Sequence, residues 1–421
     1  MKSKINTSAW SWIPSLYFAQ GLPYVVVMTL AVIMFKRLGI NNTDIALYTS
    51  WLYLPWVIKP LWSPLVDIVK TKRWWVISMQ LLIGGGLAGV ALTLPGPHAF
   101  RYSLAFMWLL AFSSATHDIA ADGFYMLGLD TKKQAFFVGI RNTAYRLAML
   151  TGQGLIVMLA GWLEKTYSAT LPEEIAVPRA WSITFYLLAA LFVLLFLYHQ
   201  FILPKPENDV PVKNGSPLKA FLETFVTFFQ KKGILAALAF ILLFRFAESQ
   251  LVKIASPFLL DHPEVGGLGL DTIQVGTIYG VVGLIALTVG GILGGIVMAK
   301  NGLKHWIWWM TAAMNLPNLV YVYLAFAHPS AMWLISTCVA VEQFGYGFGF
   351  TALTYFMMLF SKGPQQTAHY AICTGFMALG MMLPGMISGY IQELIGYQYF
   401  FLWIMLCTIP SFIAVKYIKL T

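Results

Sequence analysis

The chain has 421 residues, of which 59% are hydrophobic and only 10% charged, with a mean hydropathy of +0.72. Soluble domains carry about 25% charged residues, so this composition excludes a water-soluble protein. The formal net charge of +10 comes from cations scattered through short loops, without the basic stripe or aromatic–basic motif that nucleic-acid binding needs.

Apolar runs of membrane-crossing length recur along the sequence. The first follows Lys2 and Lys4 and contains Pro14, Gly21 and Pro23; it does not resemble a cleaved leader and reads as a retained span. Twelve spans are predicted, at approximately 12–35, 45–68, 74–94, 102–126, 135–162, 181–203, 233–258, 272–298, 305–326, 331–360, 366–391 and 397–416. The longest hydrophilic gap, Pro204 to Lys232, is rich in Pro, Asn, Gly and mixed charge, which predicts a flexible or partly helical linker. The expectation is an all-α membrane protein with six helices in residues 1–203, a linker at 204–232 and six helices in residues 233–421. With the N-terminus inside, the inner loops hold 17 Lys and Arg and the outer loops five, which predicts cytoplasmic termini and a cytoplasmic linker.

Nine ionisable residues remain well inside the spans: Lys59, Asp118, Asp122, Arg141, Arg146, Arg245, Glu248, Lys253 and Glu342. They fall on spans 2, 4, 5, 7 and 10 and avoid 3, 6, 9 and 12. In a carrier built of three-helix repeats, every third helix faces lipid and the rest line a cavity, so the distribution predicts a central polar solute pathway. Asp118 and Asp122 stand four apart, on one helix face, and they serve either as proton carriers or as a brace paired with Arg141 or Arg146. Pairing and proton exchange oppose each other, because an adjacent guanidinium holds a carboxylate ionised. Glu342 and Glu248 are the proton-coupling candidates nearer the midplane, with Glu248 three residues beyond Arg245. Arg245, Arg146 and Lys59 are candidate anchors for an anionic solute, with Gln20, Tyr24, Gln343 and Tyr346 as further candidate contacts. His117 reads as a hydrogen-bonded packing residue.

Cys338, Cys373 and Cys407 lie in apolar segments without ligand spacing, so no disulfide, metal or cofactor is expected. No phosphate-cradling loop, HExxH or Gly-x-Ser-x-Gly elbow occurs, which argues against an ATP-driven pump and a hydrolase. A membrane-embedded transferase using Asp118 and His117 stays open as a different class, as does a non-transporting sensor.

The loop Gly295-Ile-Val-Met-Ala299-Lys300-Asn301-Gly302-Leu303-Lys304 resembles the cytoplasmic-loop signature of the major facilitator superfamily, with Ala299 in place of its Asp. The matched loop Ser63-Pro-Leu-Val-Asp67-Ile-Val-Lys70-Thr-Lys72-Arg73 keeps the Asp and bases but lacks both glycines. The resemblance implies a fold of two six-helix bundles and a cytoplasmic gate built from Asp67, Lys72, Arg73, Arg141, Lys300 and Lys304.

Four further stretches resemble the AmpG muropeptide permeases: Phe18-Ala-Gln-Gly-Leu-Pro23, Lys59-Pro-Leu-Trp-Ser-Pro-Leu-Val-Asp67, Ser114-Ala-Thr-His-Asp118-Ile-Ala-Ala-Asp122 with Tyr145-Arg146-Leu-Ala-Met149, and Glu342-Gln-Phe-Gly-Tyr-Gly-Phe-Gly-Phe-Thr-Ala352. Arg141 and Lys253 depart from that pattern. The resemblance implies a monomeric proton symporter of a bacterial inner membrane, importing anhydromuropeptides for peptidoglycan recycling. Other anionic solutes, among them acyl-coenzyme A, siderophores and oligosaccharides, remain alternatives on the same fold.

Overall fold

The computed structural model describes residues 8–211, 217–363 and 366–418, apart from a few side chains inside helices, Asp67 and Lys132 among them. Every regular element among these residues is helical. In chain order they are α1 (Ala9–Arg37), α2 (Asn42–Trp51), α3 (Leu54–Ile68), α4 (Lys72–Thr93), α5 (Ala99–Gly128) and α6, which runs from Thr131 through a π turn at Thr151–Ile156 to Ser168. There follow α7 (Glu173–Ile202), α8 (Pro217–Phe229), α9 (Ile234–Leu260), α10 (Thr272–Ala327), α11 (Met332–Phe360), α12 (Gln366–Leu406) and α13 (Ile409–Tyr417). Polar side chains start several of them: Asn41, Thr71 and Asp130 accept from backbone amides of α2, α4 and α6, and Asp271 closes a capping box with Gln274. Each satisfies an N–H that the first helical turn leaves without a partner.

Eight helices among the described residues are long and apolar enough to cross a membrane. At 1.5 Å per residue, the 56-residue α10 would be roughly 84 Å long if straight, against about 30 Å of hydrocarbon. It is not straight. Gly302 has φ 76° and ψ 167°, a conformation open to glycine and strained for other residues. Before it, Gly283, Gly290 and Gly294 face Gln343, Phe344 and Phe348 of α11 in ascending order; after it, Met310 and Ala313 face Gly349 and Gly345 in descending order. α10 is therefore two antiparallel arms. Gly396, with φ 75°, divides α12 in the same way. Gly380 and Gly385 meet Leu242 and Ser249 of α9 in ascending order, whereas Tyr397, Trp403 and Ser411 meet Phe258, Gln250 and Leu243 in descending order.

Two arms of α10 clamp α11 because its Gly345-Tyr-Gly-Phe-Gly349 run has no side chain at the contacts. A Cβ at Gly345 or Gly349 would stand 2.1 or 2.5 Å from a carbonyl oxygen of the second arm, and one at Gly347 only 2.0 Å from the Leu287 carbonyl of the first. Small residues admit such backbone approach in the absence of a hydrophobic drive between membrane helices.

α9 breaks at Phe244–Arg245, where Arg245 takes φ −108° and ψ 21°. The Ser411 hydroxyl reaches the carbonyl oxygens of both Leu243 and Phe244 at 3.0 Å, which satisfies backbone freed by the break in an apolar surrounding.

The chain forms two compact units, residues 1–31 with 61–217 and residues 32–60 with 218–421. The first is centred on Trp12, Leu16, Tyr17, Val76 and Phe124, the second on Phe228, Phe240, Phe244, Met310 and Met357. The start of the linker is ordered: Asp209 accepts from the amides of Lys72 and Arg73 at 2.7 and 3.0 Å. After α8, Lys231 donates to the carbonyls of Phe360 and Lys362, and burial holds its ammonium pKa below the ordinary lysine value.

Candidate functional site

In the first unit, α5 presents Asp118 and Asp122 one turn apart. Asp122 lies among aromatic rings and a cation: the Tyr17 hydroxyl donates to its Oδ1 at 3.0 Å, and Arg141 Nη1 lies 3.5 Å from the same oxygen. Arg141 also donates to the Tyr17 oxygen at 2.9 Å, and its guanidinium stands 4.8 and 5.0 Å from the ring centres of Tyr17 and Tyr125. Tyr17 therefore bridges the two charges. The Asp122 and Arg141 side chains are 43% and 29% exposed, so water screens the pair in part and it contributes about 1 kcal/mol or less. Asp118 lies on the side of Tyr145 and Tyr24, whose hydroxyl groups interact electrostatically with one another as Tyr145 does with Asp118.

Gln20 is 8% exposed and its Oε1 has no hydrogen-bond partner among the described residues. Arg146 is half-buried and forms no ion pair among the described residues. His117 is a buried packing residue. Ser15 bonds His199 at 2.9 Å, His199 bonds Gln80 at 2.9 Å, and Gln80 bonds His117 at 3.1 Å. This line joins α1, α7, α4 and α5. The sequence carries no signal for it beyond four separate polar residues.

In the second unit the α9 break and the glycine-faced α11 bring the midplane candidates together. Arg245, at the break, donates through Nη2 to the Tyr346 hydroxyl, and its guanidinium stands 5.1 and 4.9 Å from the ring centres of Tyr346 and Phe350. Phe350 is the member that sequence reasoning missed. Its signal was spacing, since positions 346 and 350 share one helix face. Arg245 and Tyr346 are half-buried.

Behind them lie two carboxyl groups, Glu248 at 3% and Glu342 at 1% exposure. Glu248 interacts electrostatically with Arg245 and Glu342 with Glu248. Gln343 donates to Glu342 at 3.0 Å. Glu248 Oε2 is buried without a hydrogen-bond partner. Tyr279 and Tyr321 complete the group. An ionised carboxylate in such surroundings is costly unless paired or protonated. Lys59 sits where α3 meets α12, next to the Val57 carbonyl that approaches Gly375.

The gate candidates are less concentrated. Lys72 and Arg73 are fixed through their backbones by Asp209, and Arg73 Nε donates to the Leu203 carbonyl at 3.2 Å. Arg141 belongs to the Asp122 cluster. Lys300 and Lys304 are exposed on either side of the Gly302 turn. The Asp67 side chain lies outside the described residues.

The sequence profile of the Major Facilitator Superfamily matches residues 15–368. The chain is 26% identical to a putative transporter, AmpG 4, of Rickettsia conorii, over 95% of this chain and 94% of that protein. It is 24% identical to the anhydromuropeptide permease of Escherichia coli K12, over 94% of this chain and 77% of that one. Among solved structures, the nucleoside transporter NupG superimposes with a TM-score of 0.72 at 16% identity, over 97% of this chain and 99% of its own. A bacterial homologue of the human lysosomal transporter Spinster gives 0.70 at 14% identity, over 96% and 94%. The transferase alternative finds no support among these, all of which are transporters. The two glycine-turned helix pairs, the signature loop around Gly302 and the profile match lead to one conclusion: the chain is an integral membrane transporter that belongs to the major facilitator superfamily, similar within it to the AmpG permeases.

Proposed function

We propose that the protein is a proton-coupled symporter importing anhydromuropeptide-like solutes, amino sugars carrying a lactyl ether and a short peptide, across a bacterial inner membrane. Its twelve spans are the eight long helices with α10 and α12–α13 counted as two each, together with α2–α3 and α11. They form bundles at 1–203 and 233–421 joined by the 204–232 linker, as a monomer with both termini in the cytoplasm. The observation that carries the solute class is Arg245 held across the faces of Tyr346 and Phe350. A guanidinium binds a carboxylate through two parallel N–H bonds, and flat aromatic faces suit the apolar face of a sugar ring. Arg146, Lys59, Gln20, Tyr24 and Gln343 add polar contacts.

Glu342 and Glu248 are the proposed proton carriers, and Asp122 with Arg141 the brace. The proton supplies about 2.3 kcal/mol per charge per 100 mV, and neutralising a buried carboxylate lowers the cost of moving the loaded site. The same box would take another anionic solute with an aromatic or sugar face, which is the second reading; the fold-level likeness to a nucleoside transporter favours keeping it. Uptake of labelled anhydromuropeptide into cells lacking their own permease tests the proposal. Expected is accumulation abolished by a protonophore. Uptake indifferent to the protonophore rejects symport, and no uptake of the muropeptide while a nucleotide-linked acid accumulates transfers the protein to the second reading.

A further inference from the structure

In the second unit, α9 carries a cation that the transport reading above does not use. Lys253 is 1% exposed, and its ammonium has the Thr49 hydroxyl oxygen at 3.0 Å and the Tyr53 ring centre at 5.1 Å. No ion pair forms at Lys253 among the described residues. The carboxyl groups of the surrounding helices are engaged elsewhere. Glu248, five positions back on the same helix, points about 140° away round its axis and interacts with Arg245. Glu342 interacts with Glu248 and accepts from Gln343. Asp44 accepts from Asn41, Asp261 pairs with Lys36 at 2.8 Å, and Glu393 accepts from Thr43.

One hydroxyl on the facing turns differs from the rest. Thr49, Ser249 and Ser388 donate their hydrogens to the carbonyls of Ile45, Phe246 and Gly385 at 2.7, 2.8 and 2.7 Å. Ser50, 0% exposed, has no hydrogen-bond partner among the described residues. A Cβ at Gly385 would stand 2.7 Å from Ser50 Oγ and 3.5 Å from Lys253 Cγ, so the hydroxyl and the lysine stem converge on one glycine face. The group therefore offers N–H bonds of a cation and an O–H bond, and Thr49 Oγ1 is the only acceptor oxygen that meets the ammonium among the described residues. A buried ammonium calls for a counter-charge as well as for acceptors. Packing limits what can supply both. A Cβ at Gly389, one turn beyond Gly385, would stand 2.0 Å from the Asn42 carbonyl oxygen, so α2 and α12 run too close to admit a carboxylate borne on a carbon chain.

We infer that Lys253 and Ser50 hold a small monovalent inorganic anion, chloride as the type, between α2, α9 and α12. The ion accepts from the ammonium and from the Ser50 hydroxyl, and it neutralises a charge that no carboxylate reaches. Its site is distinct from Arg245, which stands eight positions back, roughly 12 Å along the helix. The inference rests neither on the cargo nor on proton coupling: it concerns an ion that stays with the folded protein and stabilises it by mass action.

The test is the unfolding temperature of the purified full chain, without solute, as sodium chloride replaces sodium gluconate at constant ionic strength. Expected is a saturable rise of several degrees, reproduced by sodium bromide, with matching broadening of the 35Cl resonance by the folded protein. Lys253→Met should lose both responses, and should unfold at or above the temperature of the chloride-free wild type, the direction found when a buried charge gives way to an apolar side chain. Lys253→Leu stands in should the methionine variant fail to purify as a single species. Ser50→Ala keeps the cation and loses one donor, so it should keep the rise and increase the half-saturating chloride concentration about tenfold, the scale of one hydrogen bond to a charged group. Lys416→Met, at an exposed cation, should respond as the wild type does. A wild type indifferent to chloride overturns the inference, as does a response that survives Lys253→Met. A response lost in Arg245→Met but kept in Lys253→Met puts the ion in the solute box and overturns it too. Because no solute is present, these outcomes are separate from muropeptide uptake: a chloride response without uptake removes the cargo assignment alone.

Discussion

Gly347→Ala adds one carbon at the tightest contact of α11. Its Cβ would lie 2.0 Å from the Leu287 carbonyl oxygen, 2.8 Å from the carbonyl carbon and 3.0 Å from the Cα. All three are backbone atoms, so no side chain can swing away. Ordinary contact lies near 3.5 Å, and α11 or the first arm of α10 must retreat by roughly 1 Å or more. Overpacking of this kind costs about 1–3 kcal/mol, from which up to about 1 kcal/mol is recovered because alanine is the better helix former. The expected net is a loss of about 1–2 kcal/mol, read as a fall of several degrees in the unfolding temperature of the purified protein at a fixed scan rate. Gly295→Ala is the matched control, since a Cβ there meets nothing within 4 Å; it should unfold at or slightly above the wild-type temperature. The retreat of α11 also carries Tyr346 away from Arg245, so uptake should fall even at temperatures where the variant is folded. Gly347→Ala unfolding at the wild-type temperature, or Gly295→Ala falling equally, would refute the account of why α11 carries glycine.

Three other outcomes are expected. Arg245→Met should raise the KM for a carboxylated solute by about tenfold to a hundredfold, the loss of a charge-assisted hydrogen bond, and should affect the corresponding amide little; Arg245→Lys should recover only part, since an ammonium does not lie flat between two rings. Equal losses for acid and amide would remove Arg245 from solute recognition. Glu342→Gln should abolish accumulation driven by a pH gradient yet keep solute exchange between equal pools, measured in proteoliposomes; retained accumulation sinks the proton role. Asp122→Asn should keep gradient-driven uptake and lower stability by about 1 kcal/mol, the scale of a part-exposed ion pair. Loss of proton coupling in that variant would restore Asp122 as a carrier.

The positions of helices were legible in the sequence because hydrocarbon length sets a long, repetitive signal. Spans at about 272–298 and 305–326 correspond to the two arms of α10, and Gly302 between them carries the turn. The break in α2–α3 at Leu52–Tyr53 and the one in α9 at Arg245 were invisible to hydropathy, since neither changes the apolar average. Asp118 and Asp122 could be placed on one face from spacing alone, and Arg141 was among the named partners. The Tyr17 bridge could not be, because it joins positions 105 and 124 residues apart. Lys253 stood out as a cation inside an apolar run. What holds it was hidden, because Thr49 is 204 residues away and nothing in either stretch names the other. Local periodicity reports faces and depths; partners chosen across the fold leave no local mark.

The line from Ser15 through His199 and Gln80 to His117 has a consequence for motion. The two bonds of Gln80 lie where water cannot replace a lost partner, and the part-buried Ser15–His199 bond adds α1 to the line, so sliding any one of α1, α4, α5 or α7 along its neighbour breaks one of its links. Those four rods are therefore expected to travel together, like planks bolted through a common bar, and Asp118, next in sequence to His117, travels at a fixed height with them.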